Sequence, residues 1–91
     1  MSAEIVLAER LPSSAVEDMR RSLRAATGPA ARIDGRHVRS IGARAAETLA
    51  RFAAAARGEG RSVTVRVSRD MEDDLRILGL AAAVLGEEIA Q

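Results

Sequence analysis

Cysteine is absent from the 91 residues, which excludes disulfides, thiolate metal sites and thiol catalysis. Lysine is absent as well. All 14 basic residues are arginine, a bias that, with the abundant alanine, reads as the mark of a GC-rich coding sequence rather than of a selected binding property. Tryptophan and tyrosine are missing and Phe52 is the single phenylalanine. The core must therefore come from Ile, Val, Leu, Met and that one ring, and no aromatic ladder is available on which single-stranded nucleic acid could stack. A formal net charge of +1 gives no electrostatic footprint for DNA or RNA. No apolar run approaches the ~20 residues of a membrane span. Met1-Ser2-Ala3-Glu4 has neither the basic nor the apolar segment of a signal peptide, so a cytoplasmic protein is expected.

The chemistry of catalysis is equally thin. His37, the only histidine, stands beside Arg36 and Arg39 with no second ligand or nucleophile close in sequence, and reads as a solvated loop residue. A metal site would need three or four suitable ligands, and none is expected, nor is any cofactor. Gly58-Glu59-Gly60 precedes a strand and lacks the Lys-Ser/Thr of a phosphate loop, so it reads as a helix cap and turn. The Glu72-Asp73-Asp74 run sits at a predicted helix start, where carboxylates suit the positive end of the dipole. No Cys–His or Ser–His pairing has local support, and an enzyme is not expected.

What is present is a regular alternation of strands and helices in one small domain, residues 1–91. Glu4 to Glu9 forms an apolar run of strand length, ended by Leu11-Pro12. Ser14 and Glu17 have the spacing of a capping box, and Val16, Met19, Leu23 and Ala26 then share one helical face. Gly28-Pro29 stops that helix. The central stretch follows: a strand, Ala31 to Asp34, ended by Gly35; a polar turn; and a long helix opening near Gly42. Ile41, Ala45, Leu49, Phe52 and Ala56 recur at the helical period, and the helix runs to about Arg57. Ser62 to Val67 alternates apolar and polar residues, the pattern of a strand with one buried and one wet face. Ser68 is the natural N-cap of a third helix, striped by Met71, Leu75 and Leu78 and ended at Gly79. The tail, 81–91, reads as a short helix or a loop. The fold class is α/β, a small, mostly parallel sheet with helices on one face only. Arg32, Arg36, Arg39 and Arg44 make a locally basic zone where the central strand meets its helix, able to face an acidic surface or a phosphate at the helix's positive end.

The order of elements, the length and the segment Val38 to Leu49 resemble the STAS domain, the fold of anti-sigma factor antagonists. So do Gly60-Arg61-Ser62-Val63 and the Leu-Gly-Leu ending in Leu75-Arg76-Ile77-Leu78-Gly79-Leu80. The resemblance covers roughly Glu4 to Leu85. Family members that act in partner switching carry Asp-Ser-Ser/Ala-Gly at the start of the second helix, with the first serine phosphorylated by an anti-sigma kinase. Here Val38, Ile41 and Leu49 match the surrounding apolar positions. The Asp position falls on Gly42 and the phosphoserine position on Ala43, which has no hydroxyl; Ser40 lies three residues earlier. The resemblance thus implies a module that docks without a phosphorylation cycle. Stand-alone members lacking the serine resemble those of bacterial chemotaxis clusters, so the implied partner is a signalling kinase, an anti-sigma factor or a chemotaxis protein, not nucleic acid or membrane. The expected partner-binding residues are Arg39, Ser40, Gly42, Ala43, Arg44 and Glu47. The alternative is an accessory subunit of a larger cytoplasmic assembly, similar to that of a lipid-transport ABC complex.

Overall fold

A computed structural model describes residues 2–86. Three parallel strands form its main sheet: β1 (Ser2–Val6), β3 (Ala30–Gly35) and β5 (Ser62–Val67), in the order β1-β3-β5. A second, two-stranded parallel sheet joins β2 (Arg10–Leu11) to β4 (Ser40–Ile41). The helices are α1 (Val16–Ala25), α2 (Ala43–Gly58), α3 (Arg69–Ile77) and α4 (Ala81–Leu85).

Alternation within the strands gives the sheet its two faces. Ile5, Ala31 and Ile33 point into the core, and Val63, Val65 and Val67 pack against it while half-buried. The opposite set lies in register across the sheet. Glu4 is level with Arg32 and Thr64, and Val6 with Asp34 and Arg66. All of these are exposed except Asp34, which is half-buried. Parallel sheets are usually covered on both faces. This one carries its described helices on one face, as the Thr64/Arg66 alternation predicts.

Helix α2 is the centre of the core. Its inward positions Ala45, Ala46, Leu49 and Ala53 are all at 0% exposure. Ala45, Ala46 and Leu49 belong to one apolar cluster with Val16, Met19 and Leu23 of α1, Met71 and Leu75 of α3, and Val84 of α4. Alanines on α2 let neighbouring elements approach its backbone closely, so the larger side chains of those neighbours fill the space.

Several boundaries depart from the sequence reading. The first strand begins before the apolar run of Glu4 to Glu9 and ends within it, at Val6. The chain leaves the main sheet after Leu7, whose N–H still donates to the Asp34 carbonyl at 2.9 Å, and then pairs with β4 through Arg10 and Leu11. That bend buries both Leu7 and Leu11. The Ser14–Glu17 capping box does not form. A single 3₁₀ turn over Ser13–Ala15, closed by Ala15 N–H to the Pro12 carbonyl, makes Ala15 the N-cap of α1, with no side chain capping it. Glu17 instead pairs with Arg20.

Ile41 of the predicted helical stripe belongs to β4, and Phe52 is half-buried rather than central. Leu78 of the predicted α3 stripe is 37% exposed, because α3 ends at Ile77 and Gly79 turns the chain with φ +74°. The described part of the tail, through Gly86, forms α4. Residues 87–91 lie outside the described residues.

Arg57 ties α4 down. Its guanidinium donates to the carbonyls of Ala83 and Val84 in α4 and of Val63 in β5. The α4 acceptors are among the last carbonyls of that helix, which have no partner within it.

Candidate functional site

The start of α2 is held from three directions. The Gly42 N–H donates to the Leu11 carbonyl at 3.0 Å, and the Arg39 and Ser40 N–H groups both reach the Glu9 carbonyl. The Ile41 N–H donates to the Asp74 carboxylate of α3 at 3.0 Å. Ser68 serves α3 twice: it caps the helix by accepting from the Met71 N–H, and its hydroxyl donates to the Val38 carbonyl. The β4–α2 junction is thereby fixed to β2 on one side and to α3 on the other.

Asp74 has more to do than suit a helix dipole. It satisfies a backbone donor 33 residues away. Asp74→Ala removes the acceptor from the half-buried Ile41 N–H and is expected to cost about 1–3 kcal/mol, while Asp74→Asn, which keeps an oxygen there, should cost less. Chemical denaturation of the two variants beside the wild type measures this. Equal stability of Asp74→Ala and wild type would mean that the bond contributes nothing.

The α2 start itself is bare. Gly42 is its N-cap, with φ −81° and ψ 168°, and no side chain caps the first turn. The first intrahelical bond runs from Ala46 N–H to the Gly42 carbonyl, so the N–H groups of Ala43, Arg44 and Ala45 precede the helical ladder. Nothing in the backbone requires glycine at 42: φ is negative, and an added Cβ would meet the Leu11 carbonyl oxygen at 3.6 Å and the Pro12 Cα at 4.0 Å, both ordinary contacts. Ala43 and Arg44 are exposed beside it. Glu47, one turn on, faces Arg51 at 4.0 Å.

The expected site residues are only partly brought together. Ser40, Gly42, Ala43, Arg44 and Glu47 run continuously along β4 and the first turns of α2. The Arg39 side chain turns to Glu9, at 3.4 Å, and lines a shallow depression with His37, Ser68 and Asp70 near the start of α3. His37 is exposed, as the sequence predicts.

The basic zone expected from Arg32, Arg36, Arg39 and Arg44 is divided. Arg32 and Arg36 line a depression on the open sheet face with Glu4, Asp34, Thr64 and Arg66. Arg44 stands on α2. The strand's alternation and the turn after Gly35 separate side chains that are close in sequence.

On that open face, the Arg36 guanidinium forks onto both oxygens of Asp34 at 3.0 Å, and the Arg36 N–H donates to the same carboxylate. These hydrogen bonds, side chain first and backbone second, hold the Asp34 carboxyl well below the usual carboxylate range. A depressed folded-state value makes the contribution present above the unfolded-state value of about 4 and lost as pH falls from there through the folded value. Asp34→Asn is accordingly expected to lower Tm near neutral pH and to flatten the fall of Tm below about pH 4. Thermal melts across the acid range check it, and an acid limb of unchanged slope would remove Asp34 from the account of acid sensitivity.

Among the described residues no group of three or more His, Cys, Asp or Glu side chains is placed to hold a metal ion, and no helix is long and apolar enough to cross a membrane. Comparison with protein-family models, with curated proteins and with solved structures finds no match to this chain.

Proposed function

We propose that this protein is a non-catalytic, cytoplasmic protein-binding module of bacterial signalling, which docks a partner through the start of α2 without any phosphorylation at that point. The reading rests on the STAS-like order of elements and on one structural observation. The start of α2 is uncapped and exposes Gly42, Ala43 and Arg44, although neither the backbone conformation nor packing demands glycine at 42. Small residues at that turn let a partner's surface reach the helix backbone. Arg44 beside them supplies positive charge that favours an acidic partner in on-rate and specificity. The partner class is a histidine kinase, an anti-sigma factor or a chemotaxis protein.

The exposed large apolar side chains among the described residues weigh against permanent burial in a larger assembly. They are Val6 on the open sheet face, and Ile77 and Leu78 at the end of α3. Residues so divided do not make the contiguous patch of more than a few hundred Å² that an obligate accessory subunit would present.

The test is capture from a bacterial lysate by immobilised wild type and by Ala43→Glu, read by mass spectrometry. The proposal expects a signalling protein to be retained by wild type and lost by the variant. A transporter subunit retained by both would support the accessory-subunit reading instead.

A further inference from the structure

Helices α1 and α2 leave an open groove of about 490 Å³ between them. One wall is the stripe Thr48, Phe52 and Ala55 of α2, continued by its C-cap Glu59. These positions step by four, three and four, a straight line about 16 Å long at the helical rise. The facing wall is Arg20, Leu23, Arg24 and Thr27 of α1 and the turn beyond it. The floor is apolar and low. Leu23 is buried beneath it, Ala55 is exposed, and the half-buried Phe52 ring offers the chain's one aromatic surface.

The charge is one-sided. Arg20, Arg24, Arg51 and Arg61 line the groove against a single carboxylate, Glu59. Arg20 and Arg51 have acidic neighbours on their own helices, Glu17 and Glu47. Among the described residues neither Arg24 nor Arg61 has a carboxylate at ion-pair distance. Arg61 is also held in place. It donates to the carbonyls of Gly28 at 2.6 Å and Ala26 at 2.7 Å, and its guanidinium sits 5.8 Å from the centre of the Phe52 ring. An arginine already pinned by the fold loses little freedom when it meets an anion, which lowers the cost of binding.

We propose that this groove receives an amphipathic helix of a partner protein, with a narrow apolar ridge over Phe52 and Ala55 and carboxylates on both flanks against the arginines. A straight α2 wall some three turns long, faced by the last turns of α1 and the chain just beyond it, suits a helix laid into a groove. A second copy of this chain is a poor occupant, because like-charged rims would face each other in a two-fold pairing. The groove shares no residue with the exposed turn at Gly42 and Ala43, so this binding does not depend on the docking surface proposed above.

A fluorescein-labelled peptide of roughly 16 residues, enough for about four helical turns, tests this. It carries Leu and Ala on the ridge with Glu on both flanks, and a control peptide has Lys for every Glu. Anisotropy titrations should show saturable one-to-one binding of the acidic peptide only, weakening as salt rises. Arg24→Glu/Arg51→Glu, two exposed changes whose fold is checked by circular dichroism, should weaken it about tenfold or more. Amide shifts should change at Leu23, Thr48, Phe52 and Ala55, and Ala43→Glu should bind the peptide as wild type does. Absent saturable binding, equal binding of both peptides, an indifferent double variant, or loss of the peptide in Ala43→Glu would each overturn the assignment.

Discussion

Leu49→Ala is expected to destabilise the protein by about 3–5 kcal/mol, the upper part of the range for a buried leucine. Leu49 is fully buried in the second turn of α2. Its neighbours on the same buried face are Ala45, Ala46, Ala50 and Ala53. Methyl groups cannot swing into the vacated space, so any filling must come from α1, α3 or the sheet, whose positions the helix itself sets. The cavity term therefore adds to the lost transfer energy instead of relaxing away. Small domains have about 5–15 kcal/mol to lose in total, and each kcal/mol shifts Tm by about 4–8 °C at this size. Thermal unfolding followed by circular dichroism reads the effect directly. A loss under about 1 kcal/mol would mean that the core is not centred on α2.

The second large effect concerns binding and leaves stability nearly untouched. Ala43→Glu places a carboxylate at the first position of α2, where the helix dipole favours negative charge. The side chain at 43 is exposed, so no core contact is lost and Tm should hold or rise slightly. For a partner that comes close over Gly42 and complements Arg44, the same change is a steric block and a like-charge clash. Its expected consequence is a loss of affinity of about a hundredfold or more, since close charge juxtapositions across an interface reach several kcal/mol. Separating the two readouts matters: a variant that folds as well as wild type and no longer binds locates the surface.

Much of the architecture could be read from the residues alone. Val63, Val65 and Val67 alternating with Thr64 and Arg66 gave β5 its bounds and its wet face, because a two-residue period has one structural meaning. Ser68 before an acidic turn identified the α3 cap, and Gly42 the opening of α2. The two-residue strands β2 and β4 were not legible. Elements so short have no period, and they exist only because Leu11 and Ile41 are brought together by the rest of the fold.

The capping box at Ser14 failed for a local reason. Pro12 begins a 3₁₀ turn that carries the chain past Ser14 before α1 starts. At the candidate site, the strand–turn–helix pattern placed Ser40 to Glu47 at one junction, while the binding role expected of them came from the resemblance. The divergence of Arg39 toward Glu9 could not be found in this way, since it depends on β2 lying alongside β4. Nor could the groove between α1 and α2: Arg24 and Arg61 are far apart in sequence, and only helix packing and the carbonyls of Ala26 and Gly28 place them around Phe52.

The proposed docking surface is the start of α2. Its most direct test is calorimetric titration of the captured partner into wild type, Ala43→Glu and Ala54→Glu. The last variant places the same residue on the same helix at another exposed position. The account predicts that Ala43→Glu abolishes binding and that Ala54→Glu binds as wild type does. Undiminished binding by Ala43→Glu, or equal loss in both variants, would contradict it.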